Sequence, residues 1–576
     1  MIFEYEHVNA PVPSRVDSFF RCPKILLYHR SEAFGIKLFA SKYMHLDRNR
    51  FLELELSSGW NDVISGELHI RAATAGMRLQ TSEATVIEGS LELEDRVEAG
   101  VVKFGALSSY STAKIRMPFN LEHESSDVSL KIEISYTTEN GTFFFATLPT
   151  MSIMLPLGVN VQDVFKHKAL FSKFTISSAN SSPLRLLSSR LDGSEIFDSK
   201  CGLPISKPII IFPRQPATVL YKILKKASTS TTSAKFGTKP KRSLSLVLHY
   251  VGLEEEIDSA ITASLKTAFH DTPLQPYSRL LIPTVLKALQ ARLSHYDLER
   301  IAVLNEVSTS FLANTHWKDY LHGLGKTTEG EEDIATLLHR GLETWQQQTP
   351  SLSLLSSSPD DNFIAPTRSI VIPVDVPTVT VVHTADLKLS TPSAPTSSNT
   401  IIAASNTPIP ATLEIKWTRR WDVQEDSESK KNNDLEFFFE VSGHSDTWLI
   451  GGKRKGHFKV PPNQPQAPEA KDRNEKLSFP LVLIPLREGH LPYPNVEIKP
   501  APVAKIIKPG GGDHEDGLKG RQTITCETDY KNSAETIRVI SDAWKTTVSL
   551  DASGPQGGAM LLESEKRGTL GGEVIG

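Results

Sequence analysis

Cysteine is almost missing from these 576 residues: Cys22, Cys201 and Cys526 stand alone and far apart. Three widely spaced thiols build neither a disulfide framework nor a Cys-rich zinc domain, and they fit a reducing compartment. No run reaches the ~18 consecutive apolar residues of a membrane-spanning helix. The opening Met1-Ile2-Phe3-Glu4-Tyr5-Glu6 lacks the basic-then-apolar order of a signal peptide. The expectation is a soluble, intracellular, multidomain chain. In that setting the sequons Asn140-Gly141-Thr142 and Asn180-Ser181-Ser182 carry no meaning. A charge excess is lacking too. Lys and Arg number 63 against 67 Asp and Glu, a net charge of −4, which excludes a polycation that coats nucleic acid.

Motifs of catalysis are also wanting. Gly323-Leu324-Gly325-Lys326-Thr327 ends like a phosphate-binding P-loop, but Tyr320 holds the place of the motif's first glycine. A helix-terminating glycine with a polar loop explains it better. Gly451-Gly452-Lys453-Arg454-Lys455-Gly456-His457-Phe458 has P-loop glycine spacing, with His457-Phe458 where Lys-Ser/Thr is required. His514-Glu515 would need a histidine at 518 for a zinc-binding helix, and 518 is Leu. The 17 histidines lack metal-ligand spacing. No Gly-x-Ser-x-Gly elbow occurs, and Cys22, beside Pro23, has no activating neighbour. The reading is a non-enzyme with no catalytic, cofactor or metal residues.

What is present is period-two alternation. Phe51-Leu52-Glu53-Leu54-Glu55-Leu56 puts leucines on one face and glutamates on the other, and segments near 66–71, 129–136 and 243–250 repeat the pattern. One buried and one solvated face is the signature of antiparallel strands in sandwiches. Asn140-Gly141 supplies positive-φ residues for a tight hairpin. The expected fold is mainly β: tandem immunoglobulin-like β-sandwiches with a helical insert and disordered linkers.

The first sandwich is expected at 1–150, irregular at its start, and the second at 151–251. A helical insert follows at 252–348, where Ile257, Ile261 and Leu265 recur after Glu254-Glu255-Glu256, and Val285, Leu286, Leu289 and Leu293 follow Pro283. Further helices are expected at about 296–313 and 331–347 from their helical period. A linker is expected at 349–365 and a C-terminal sandwich at 366–551, with a disordered loop at 387–411. Eight of the ten residues in Thr391–Thr400 are Ser, Thr or Pro, which places that loop. A Gly-rich flexible tail is expected at 552–576.

Two basic segments are candidate contact sites. Lys453, Arg454 and Lys455 read as a solvated hairpin tip or as an interaction loop for an anion or acidic partner, since flanking glycines let the backbone approach a ligand. Lys225, Lys226, Lys235, Lys239, Lys241 and Arg242 flank the tract Ser228–Ser233 without an acidic residue. They read as a solvated insertion or a basic tether to acidic surfaces, attenuated by phosphorylation. Trp417, Trp421 and Trp448 lie near Arg419, Arg420 and Lys453. Single-strand nucleic-acid binders interleave such residues, but sandwich-core tryptophans are simpler, and no nucleic-acid partner is expected.

Five stretches together resemble a known family: Leu54–Leu79, Ile372–Leu389, Trp448–Phe458, Phe479–Ile498 and Cys526–Asn532. In that order they are similar to the C-terminal half of the Trs-one-thirty type large subunit of the TRAPP II complex, the subunit-ten type in animals. The resemblance implies a non-catalytic scaffold of a vesicle tether, cytoplasmic and peripheral to Golgi membranes. Its implied partners are other TRAPP subunits and a Rab GTPase served through the complex's exchange activity; acidic membrane surface is a candidate partner of the two basic segments. In the family a long N-terminal half containing an α-solenoid precedes this part, and exchange chemistry belongs to small core subunits. The alternative is an arrestin-like β-sandwich module that binds acidic membrane or cargo.

Overall fold

The computed structural model describes residues 33–566 apart from 47–49, 95–98, 124, 203–206, 227–241, 271, 273–274, 276–277, 314, 316, 318–333, 355–366, 391–401, 423–433, 462–475, 502–523, 541–543 and 551–559. The described chain is mainly β, with four α-helices in one block.

The first sandwich follows from alternation. Strand Arg50–Ser57 pairs with Gly35–Ala40 and Thr112–Leu121, while Ser65–Ala72, Asp127–Thr138 and Gly141–Thr147 belong to the facing sheet. Leu52, Leu54 and Leu56 are fully buried in the core between them, with Leu68, Ile132 and Phe104. The glutamate face is not simply solvated. Glu53 is buried and accepts hydrogen bonds from Ser41 Oγ and Arg116 Nη2, both at 2.9 Å. The hairpin forms where expected, with Thr138 opposite Gly141. Of the dipeptide only Gly141 takes positive φ, +128°.

The second sandwich borrows from both neighbours. One sheet runs through Leu157–Lys166, Ala169–Ser178, Ala217–Lys225 and Phe197–Cys201. In the other, Leu184–Asp192 pairs with Ser243–Gly252, which pairs with Arg368–Asp375. The chain expected to open the C-terminal sandwich at 366 therefore first completes the second. Its apolar residues Ile370, Val374 and Val376 face that core. Strand Tyr43–His45 leaves the first sandwich and adds parallel to Arg368–Asp375 at the sheet edge.

The helices are thus inserted between two neighbouring strands of one sheet. Helix α1 (Leu253–Phe269) continues directly from Ser243–Gly252 with three glutamates in its first turn, which suits the positive end of the helix dipole. Helix α2 (Ser278–Gln290) contains Pro283 in its interior rather than in a first turn. Helix α3 (His295–Leu304) opens on a capping box formed by Ser294 and Asp297. It stops well short of 313, because Asn305 turns left-handed at φ 56°. Strand Glu306–Ser308 then pairs with Ser351–Ser353, inside the interval expected to be linker. Helix α4 (Ile334–Gln348) packs Leu338, Leu342 and Trp345 into the same core as Ile257, Ile261 and Leu265.

The C-terminal unit has a five-stranded sheet ordered Trp448–Gly452, Lys476–Pro485, Ile409–Thr418, Val381–Leu389, Cys526–Tyr530. A three-stranded sheet, Lys455–Val460, Leu435–Ser442 and Asn495–Pro500, shares its core, as does a third built on Thr536–Ile540. Of the loop expected at 387–411, the ends are strands: Val381–Leu389, Ile402–Ala404 and Ile409–Thr418, with Ala403, Ile409 and Ala411 buried. Its Ser/Thr/Pro centre, 391–401, lies outside the described residues. Within the expected tail, strand Met560–Lys566 pairs with Trp544–Leu550.

Candidate interaction surfaces

The loop Lys453-Arg454-Lys455 links two strands that belong to different sheets of the C-terminal sandwich. Strand Trp448–Gly452 pairs with Lys476–Pro485, whereas Lys455–Val460 pairs with Leu435–Ser442. The three cations have different surroundings. Lys455 Nζ lies 2.7 Å from Glu440, its cross-strand neighbour, and pulls that carboxyl below its usual range. Lys453 Nζ sits 5.1 Å from the centre of the Phe479 ring, a cation–π contact. Arg454 is exposed and forms no ion pair among the described residues.

The second basic segment is anchored at its two ends. The Lys226 ammonium donates to the Ser194 carbonyl at 2.7 Å, and the Arg420 guanidinium donates to the carbonyl of Lys225. Arg242 lies over the Phe197 ring at 5.6 Å. Lys235, Lys239, Lys241 and the Ser/Thr tract lie outside the described residues. The two basic segments therefore differ: one is a loop between sheet edges, and the described part of the other is tied to the body.

Between the units the contacts are buried or half-buried. The segment Thr418 to Asp422 leaves the C-terminal sheet and places Trp421, 1% exposed, in the core of the second sandwich. Its indole Nε1–H donates to the His167 carbonyl at 3.3 Å. Lys166 Nζ and Asp529 close the same joint at 2.5 Å. At the helical joint, Arg185 Nε lies 3.0 Å from Glu256, both side chains buried, and Arg185 Nη1 donates to Asn305 Oδ1 at 2.8 Å. Burial raises the Glu256 carboxyl, with Arg185 opposing it. A cleft of about 270 Å³ opens nearby, where Lys42, Asn180, Tyr250, Glu255 and Arg368 meet. Arg368 and Glu255 form a two-bond fork across it, which leaves that cleft wall neutralised.

Comparison with known families places this arrangement. Residues 373–540 match the TRAPPC10 C-terminal domain, and residues 255–357 match the TRS130-like four helical bundle domain. The chain belongs to the TRAPP II large-subunit family. The match at 255–357 covers the helical block and that at 373–540 the C-terminal sandwich. Residues 31–152 of this TRAPP II subunit, its first sandwich, match a domain of unknown function, DUF7077. Membership places the chain in vesicle trafficking with other TRAPP subunits as partners. No curated protein matches it. Among solved structures, a cohesin module of a Clostridium perfringens family 33 glycoside hydrolase is 14% identical, covers 21% of this chain and 96% of the module, and has a TM-score of 0.17. The YadV chaperone is 9% identical, covers 38% of this chain and 92% of its own, and has a TM-score of 0.13. At those scores neither carries an argument.

Other chemistry in the TRAPP II subunit is quiet. Among the described residues no three His, Cys, Asp or Glu gather as a metal site, and no helix is long and apolar enough to cross a membrane. Burial pushes the Cys526 thiol up to about 11, away from the thiolate form that acts as nucleophile or metal ligand. Cys22, Gly323–Thr327 and His514 lie outside the described residues. Sequence reasoning missed His383, whose ring is fully buried against Phe437 and Phe458, with both nitrogens unpartnered among the described residues. Its neighbours in sequence, Val381, Val382 and Ala385, are a strand's apolar residues, and only its place in that run hinted at burial.

Proposed function

We propose that this chain is a non-catalytic scaffold that supports Rab nucleotide exchange by TRAPP II at Golgi membranes, from the cytoplasm. Its sandwiches, taken as immunoglobulin-like, present edges and loops to neighbouring subunits while the small subunits perform the exchange chemistry. The observation that carries the reading is the ordered pair of family matches at 255–357 and 373–540. The buried joints at Arg185–Glu256 and at Trp421 support it, because a scaffold needs units that hold a fixed relation. Lys453, Arg454 and Lys455 are its proposed contact loop. Capturing the tagged chain from cells and identifying co-purifying proteins tests it: TRAPP subunits are expected well above a mock capture. Their absence, or measurable nucleotide exchange on a Rab by the isolated chain, would overturn the reading.

A further inference from the structure

In the three-stranded sheet of the C-terminal sandwich, Lys455–Val460 has a partner on one side, Leu435–Ser442, and none on the other among the described residues. The direction of its backbone groups follows from one neighbouring bond. Val441 N–H donates to the Arg454 carbonyl at 2.7 Å. Antiparallel pairs alternate, so Gly456, Phe458 and Val460 turn their backbone groups toward Leu435–Ser442. Lys455, His457 and Lys459 turn theirs to the free edge. The far side agrees: Ala501 N–H donates to the Glu436 carbonyl at 2.9 Å, so Glu436 faces the third strand.

The same three residues are exposed, while Phe458 and Val460 are buried. Backbone docking groups and basic side chains therefore coincide at every second position. Glu440 lies by Lys455, and Glu436 lies 3.9 Å from His457. Lys459 forms no ion pair among the described residues. Lysines on an edge also hinder pairing with the wrong strand. Antiparallel pairing of two copies centred on His457 would set Lys455 against Lys459, so this edge rejects a second copy of itself.

We infer that the edge strand Lys455–Val460 accepts an acidic extended peptide segment by strand addition. Such a segment adds antiparallel or parallel main-chain bonds at Lys455, His457 and Lys459. Its acidic residues stand at alternate positions beside those side chains, and its intervening residues are apolar, facing the seam between the two sheets. The inference stands on edge geometry and charge, independent of TRAPP membership, so it and the capture experiment fail separately.

The test uses the full chain and a fluorescent hexapeptide alternating glutamate and valine, with a lysine–valine peptide as control. Anisotropy should show binding of the acidic peptide only, weakened by salt. Site-resolved hydrogen exchange should show slowing at the amides of Lys455, His457 and Lys459. Lys455→Glu with Lys459→Glu should weaken binding by about tenfold or more. His457→Pro removes an outward N–H and should abolish it, since an edge strand tolerates proline there. Lys459→Glu alone changes an exposed, unpaired residue, and it should weaken binding in a chain that still folds. Equal binding of the lysine–valine peptide, or acidic-peptide binding without slowing at the three amides, would overturn the inference. So would binding of phosphatidylserine vesicles through these residues with no peptide binding, which would make the edge a lipid contact.

Discussion

Trp421 lies stacked on Phe197, ring centroids 6.0 Å apart and planes 14° apart, although the two residues come from different sandwiches. Phe165 meets the same indole edge-on at 5.2 Å. An aromatic side chain carried across a domain boundary into a foreign core makes the two units share part of their stability. Trp421→Ala is expected to cost about 3–5 kcal/mol. It should also split one unfolding transition into two, followed by calorimetry or by urea denaturation with two probes. Unchanged single-step unfolding would show that the units are coupled elsewhere.

The Arg185–Glu256 pair makes a second joint, 71 residues apart in sequence and almost fully buried. Breaking a buried pair leaves an uncompensated charge, so Glu256→Ala or Arg185→Ala should destabilise by about 3–5 kcal/mol. Replacing both, as Arg185→Ala with Glu256→Ala, should cost clearly less than the sum of the two single changes. Urea midpoints for the four proteins form the cycle. Additive losses would show that the two groups do not act as a pair.

His383 gives a pH dependence whose sign is fixed by burial. Desolvation pushes its imidazole down to about 3 in the fold, against about 6.5 when unfolded. The unfolded state therefore binds the proton first. Stability from this residue is constant above about pH 6.5 and falls as pH drops toward 3, by about 2 kcal/mol between pH 7.5 and pH 5. Urea unfolding at those two pH values measures it. His383→Leu should flatten the slope and raise stability at pH 7.5, since two unpartnered nitrogens leave the core.

Gly66 faces Phe104 across a strand pair, and a Cβ built at Gly66 would lie 2.1 Å from the end of that ring. The ring fills the space that the missing side chain leaves. Gly66→Ala should therefore cost about 1–3 kcal/mol through overpacking. Phe104→Leu introduced with it should recover part of the loss. Thermal melts of the single and double variants decide; equal losses in both would place the strain in the backbone.

Local rules were readable wherever neighbours in sequence supply the partner. The leucines at 52, 54 and 56 reach the core because alternate residues share a face. The α1 stripe of Ile257, Ile261 and Leu265 reaches its own core for the same reason at helical period. Asn305 was not readable as a stop: its left-handed turn ends α3 where periodicity alone continues toward 313. Nor was the role of Glu53, since its partners Ser41 and Arg116 lie 12 and 63 residues away. Of the candidate loop, the three adjacent cations were plain, but their division into a salt-bridged Lys455, a ring-seated Lys453 and an Arg454 with no ion pair among the described residues depends on Glu440 and Phe479 from other strands.

By itself the sequence determined a chain dominated by period-two strands, a helical block after Gly252, and the ordered motifs of a TRAPP II large subunit. Only the tertiary structure decided which sheet each strand joins. Alternation specifies the face a residue takes and is silent about the neighbouring strand, so Arg368–Asp375 could close the second sandwich, Tyr43–His45 could cross to its edge, and Trp421 could enter a core not its own. The edge at Lys455–Val460, free among the described residues, belongs to the same class of fact. An edge is defined by the strand that is not beside it, and that is set by the packing of distant segments.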